Sequence, residues 1–173
     1  MQRGMRSAKG KGKRTMKKSN TVLLICGGIA GVLCLSCIGG ITWVYSLVKA
    51  PENIVIQVDA PLEVSDGDQF VVTIRIENTA DETQVLHSLD IWDQYLQGIA
   101  IRSTEPAYRQ SYHIPIDNTQ SFEFYLDILP HATITITLNA TAVAPGDFNS
   151  FFDACINSDV SYLTYPIRTV VTE

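Results

Sequence analysis

Carboxylates at turns are the side chains of this sequence whose spacing could do chemistry. Asp66 and Asp68 flank Gly67, Asp90 and Asp93 bracket Trp92, and Asp153, Asn157 and Asp159 fall close together. Calcium takes six to eight oxygen ligands, so such clusters are where it would bind. None follows the twelve-residue EF-hand pattern, and acids at turns are ordinarily solvated, so no metal or cofactor is assigned. The histidines are His87, His113 and His131. None lies in HExxH or has a second histidine three to five residues away, as local zinc spacing requires. No GxSxG, Walker or dinucleotide motif occurs. No catalytic residue is singled out and the chain is expected not to be an enzyme. A cleft joining His113, Asp117 and other polar groups would change that.

Cys155 stands apart from Cys26, Cys34 and Cys37, which fall in one long apolar run. A lone cysteine outside that run is a candidate for intermolecular pairing, whereas its strand-like surroundings favour a buried thiol. Asn139-Ala140-Thr141 is a glycosylation sequon that matters only in a eukaryotic secretory pathway.

From Asn53 onward the elements that must position these groups have period two. Phe70, Val72, Ile74 and Ile76 alternate with Val71, Thr73, Arg75 and Glu77. Ala132, Ile134, Ile136, Leu138 and Ala140 alternate with threonines and Asn139, and Phe122, Phe124 and Leu126 alternate with polar neighbours. This is the pattern of half-buried antiparallel strands. Further strands are predicted at 54–58, 83–92, 96–103, 148–156 and 162–171, separated by turns such as Ser65-Asp66-Gly67-Asp68 and Ala144-Pro145-Gly146-Asp147. Seven or eight antiparallel strands with no amphipathic helix point to an all-β sandwich, with a closed barrel as runner-up. Residues 104–120 read as a crossing loop with one short edge strand. Pro166 marks its strand as an edge or a bulge.

Charge divides the chain sharply. Residues 1–18 carry eight basic residues and no acid, and residues 19–48 carry no charge. Residues 50–173 hold all eighteen acids against four arginines, a net −14. The apolar run 22–48 would reach roughly 40 Å as a helix, more than a bilayer core of about 30 Å. With basic residues before it and acids after it, the positive-inside rule leaves the N-terminus in the cytoplasm. A cleaved signal peptide has a shorter apolar region. A lipoprotein reading is disfavoured because the run continues well past Leu35-Ser36-Cys37. A pilin-type helix would carry an early glutamate. The organisation expected is a basic cytoplasmic tail (1–20), a transmembrane helix (21–48), a linker (49–52) and an extracytoplasmic sandwich (53–173). Gly27 and Gly31 form a GxxxG that would let two such helices pack closely, as a homo-oligomer or with another membrane protein. A domain this negative should bind neither nucleic acid nor anionic lipid headgroups.

Two stretches add a resemblance. Asp66-Gly67-Asp68-Gln69-Phe70 leads into a strand ending Ile76-Glu77-Asn78-Thr79-Ala80, and Leu129-Pro130-His131-Ala132-Thr133 introduces the threonine-rich strand. With Ala144-Pro145-Gly146-Asp147, these resemble the bacterial Ig-like surface modules of the cell-adhesion-related (CARDB-like) type, over roughly residues 54–171. The resemblance implies an Ig-like sandwich and supplies no catalytic residues. The function expected is a non-catalytic binding or structural module of the cell envelope, on a single-pass anchor, meeting an envelope protein or polymer. The alternative is an accessory subunit of a larger membrane complex.

Overall fold

Ten strands and one helical turn follow one another along residues 50–173, the part of the chain that the structure, a computed structural model, describes. They are β1 (Ile54–Asp59), β2 (Glu63–Ser65), β3 (Gln69–Asn78), β4 (Gln84–Trp92), α1 (Asp93–Leu96), β5 (Ile99–Glu105), β6 (Gln110–Ile114), β7 (Thr119–Ile128), β8 (Thr133–Ala142), β9 (Gly146–Ile156) and β10 (Tyr162–Thr172). The basic tail 1–20, the helix expected over 21–48, and Gly27 and Gly31 lie outside the described residues. Among the described residues no helix is long and apolar enough to cross a membrane.

The strands form two sheets, one ordered β1-β3-β8-β5 and the other β2-β10-β9-β4-β7-β6. All neighbours are antiparallel except β2, which runs parallel to β10. The molecule is an all-β two-sheet sandwich, and the alternation seen in the sequence is its cause. Val72, Ile74, Ile76, Ile136 and Leu138 of one sheet meet Leu86, Leu89, Ile91, Phe124 and Phe152 of the other, all at most 2% exposed. Each such burial is worth about 1.5–3 kcal/mol, so the core can sustain the fold without a disulfide.

Two strands exceed the expected seven or eight. β2 has three residues, too short for alternation to show, and β6, five residues long, is the short edge strand expected within 104–120. The crossing assigned to 104–120 is present: β5 closes the four-stranded sheet, and the chain passes a cis Glu105–Pro106 bond to the six-stranded sheet, where β6 is the edge strand. Pro166 occupies a stretch of β10 that β2, pairing only with Val170–Thr172, does not reach. It therefore leaves no ladder bond unmade on that side.

One prediction is corrected. Leu96 does not begin a strand; it ends α1, and β5 starts at Ile99. The turn buries Tyr95 completely, with its hydroxyl 3.0 Å from Thr169 Oγ1. The next bend passes so close to β9 that a Cβ on Gly98 would fall 1.8 Å from the Phe148 ring. A buried aromatic and an obligate glycine override the strand-like composition here.

Candidate functional site

Register fixes what the outer face of the six-stranded sheet carries. One row across five strands reads Thr164, Asp153, Asp90, Ser121 and Tyr112. A second reads Tyr162, Cys155, Ser88, Glu123 and Gln110. At the next level Trp92 pairs with Thr119 and Thr119 with Ile114, and Trp92 packs on Phe151 with ring centroids 5.5 Å apart. Short side chains (Ser88, Thr119 and Ser121) occupy the centre, and long ones surround it. The result is a cleft of about 420 Å³ with Asp90 among its lining. Around it stand Trp92, Tyr112, Ile116, Asp117, Asp153, Asp159 and Tyr162.

The cleft lies beside an irregularity in the sheet. Between Leu86 and Ser88 the register of β4 shifts against both of its neighbours. Against β9 the extra residue is in β4 and against β7 it is in β7, so that Leu86 and Leu89 both face the core while Ser88 and Asp90 face outward. Opposite the shift, Tyr125 has φ +55°, a conformation bulky residues rarely hold. Its ring meets His87 edge-on at 4.1 Å and lies 5.3 Å from the Arg109 guanidinium. Bulges often stand beside functional sites because they re-aim side chains.

Burial pushes the Asp90 carboxyl above its ordinary range. The neighbouring Ser121, Ser88 and Cys155 donors offset part of that rise, and the facing Asp153 adds to it. Its Oδ2 accepts the Cys155 thiol at 3.4 Å. Cys155 is 1% exposed, and burial, with the nearby Asp90 charge, pushes its thiol up to about 12. Intermolecular pairing would require it at the surface, so the structure favours the buried-thiol alternative. Tyr112 donates to Glu123 Oε1 at 2.8 Å, a bond that raises its hydroxyl to about 12.

The carboxylate groups of the sequence part company here. Asp90 and Asp153 are cross-strand partners and share the cleft with Asp159 and Trp92. Asp93 instead faces His113 Nε2 at 2.8 Å, and His113 does not line the cleft that Asp117 helps to form. Asp68 accepts the Ser65 amide at 2.9 Å, closing its own turn. Asn157 accepts the Val85 amide at 2.9 Å. His87 contacts the Asp159 carboxylate, and His131 bonds Asp81 at 2.9 Å. Among the described residues no three histidine, cysteine or acidic groups are arranged to hold a metal. Ser88, Thr119, Ser121, Tyr112 and Tyr162 went unremarked in the sequence as site residues, since only the register of adjacent strands sets them side by side.

Fold and site together define an all-β sandwich with a ligand-sized cleft on one outer sheet face. No family model matches the sequence, and no curated protein matches it significantly. Solved structures similar to it include Escherichia coli alpha-2-macroglobulin, at 16% identity and TM-score 0.45 over 70% of this chain. The chain spans 7% of that protein's length. The cupredoxin domain of amoB from Nitrosocaldus yellowstonii is similar at 12% identity and TM-score 0.45, over 72% of this chain and 90% of that one. AvmM, which catalyzes macrocyclization in alchivemycin A biosynthesis, is similar at 7% identity and TM-score 0.48, over 72% and 91%. Likenesses this distant assign neither a family nor an activity.

Proposed function

We propose that this chain is a single-pass, membrane-anchored Ig-like domain serving as a non-catalytic binding module of the cell envelope, with the six-stranded sheet's outer face as its binding surface. The cleft among Asp90, Trp92, Asp153 and Tyr162 carries this reading. Nothing in the core requires rings such as Tyr112, 42% exposed, and Tyr162, 50% exposed, to stand on that face. Aromatic side chains around a concave surface are the usual anchors of recognition.

The Ig-like assignment draws support from strand order. Variable-type Ig domains place strands A, B, E and D in one sheet and extend the G-F-C sheet by two strands. Here β1-β3-β8-β5 and β10-β9-β4-β7-β6 reproduce those neighbours. One departure is that β5, in the D position, precedes the β6–β7 hairpin in sequence. The resemblance to cell-adhesion-related modules fits the same reading, and the basic-then-apolar N-terminus supplies the anchor.

A photo-crosslinking residue at Ile116, 87% exposed beside the cleft, tests this in intact cells against one at Val71 on the other sheet. Adducts are expected from position 116 alone and should disappear in Trp92→Ala. Equal adducts from both positions, or none from 116, would reject the assignment of this face.

A further inference from the structure

We propose that the cleft receives a cationic side chain, lysine or arginine, from a basic segment of a partner polypeptide. This deepens the binding-module reading above and rests on it. Four carboxylates, Asp90, Asp117, Asp153 and Asp159, share the cleft with Trp92, Tyr112 and Tyr162. Among the described residues no arginine or lysine lines it. Three of the domain's four arginines are engaged elsewhere: Arg168 grips Asp147 through two bonds of 2.8 and 2.9 Å, Arg109 lies over Tyr125, and Arg102 donates to Thr141, while Arg75 belongs to β3 of the other sheet. The cleft's negative field is therefore uncompensated from within, and concave low-dielectric walls concentrate such a field. Aromatic rings attract organic cations independently of the carboxylates, through their quadrupole.

Other ligand classes fit less well. A hard metal ion wants several oxygens converging on one point. Here Asp153 already accepts from Trp92 Nε1 at 3.1 Å and from Thr164, and Asp159 contacts His87. The carboxylates ring the cleft without converging, which suits a side-chain cation better than a bare ion. Anions are repelled outright. A saccharide could use the rings and hydroxyls, but would leave the charge unanswered.

The test is calorimetric titration of the full chain, in a zwitterionic detergent, with trilysine, triarginine, triglutamate, calcium chloride and a neutral chitooligosaccharide. Saturable binding of trilysine or triarginine is expected, weakened about tenfold by Trp92→Ala and again by Asp117→Asn. Asp117 is exposed and makes only a turn contact through its amide, so that variant leaves folding intact. Cationic binding unaffected by both variants would reduce the effect to general attraction by a −14 domain and overturn the proposal. Calcium or saccharide binding in its place would overturn the ligand class while leaving the binding face standing. Failure of every probe together with loss of the position-116 adducts would remove the face itself.

Discussion

Asp90 shows how one residue links the site to stability. Its carboxyl is raised above 3.8 chiefly by burial, so the folded chain holds that proton more tightly than the unfolded chain. Stability tied to this group is thus highest below the unfolded value and falls as pH rises through the raised native one. Asp90→Asn removes the charge and keeps the shape. The variant should melt a few degrees above wild type at pH 7, with the difference closing toward pH 4. Thermal melts across that range decide it, and a constant or inverted difference would contradict the burial argument. Cys155 gives a second residue-scale test. In a chain with Cys26, Cys34 and Cys37 replaced by alanine, a thiol reagent should label Cys155 only after denaturant is added, because burial and a thiol near 12 leave almost no accessible thiolate. Labelling of the folded chain at neutral pH would show that this strand opens.

Single residues also hold whole elements in place. Asn78, fully buried at the end of β3, donates to Glu82, Ile128 and Leu129 carbonyls at 2.7, 2.9 and 3.2 Å and accepts the Ala80 amide at 3.0 Å. It ties the β3–β4 connection, which crosses from one sheet to the other, to the β7–β8 connection that crosses back. Asn78→Ala leaves buried carbonyls and an amide without partners and should cost about 3 kcal/mol. Chemical denaturation measures that, and Asn78→Asp should not rescue it, because a carboxylate cannot donate. Tyr125 tests the sheet irregularity in the opposite direction. Tyr125→Gly should be more stable than Tyr125→Ala by about 1 kcal/mol, reversing the usual order within a strand, since only glycine is relaxed at φ +55°. These elements also mark what a sequence can show. β3, β7 and β8 alternate over ten residues each, and their limits were legible to within two residues. Asn78 stands in the sequence only as part of a strand end, and its burial depends on a carbonyl fifty residues away. Asp90 and Asp153 were visible as acids, but their meeting depends on which strands are neighbours. Nothing local encodes that.

At the scale of the whole molecule, charge is distributed unevenly along the chain. The described domain carries eighteen acids and four arginines, and the only other basic residues are Lys49 and the eight within residues 1–18. β1 starts at Ile54, so few residues separate the domain from the end of the uncharged run at Val48. Extended residues span at most about 3.6 Å each, which would keep an anchored sandwich close to the bilayer. Anionic headgroups would then repel it within about a Debye length of 8–10 Å, favouring orientations that turn the acidic cleft outward. The topology behind this is testable in the same chain with Cys26, Cys34 and Cys37 replaced by alanine, where the buried Cys155 serves as a silent background. A membrane-impermeant maleimide added to intact cells should label Glu173→Cys and spare Ser7→Cys, and lysis should expose Ser7→Cys to labelling. The reverse pattern would invert the topology and place the cleft in the cytoplasm. Labelling of both positions on intact cells would mean that the run 22–48 does not span the membrane, and the domain's distance from the bilayer would then no longer be set by its linker.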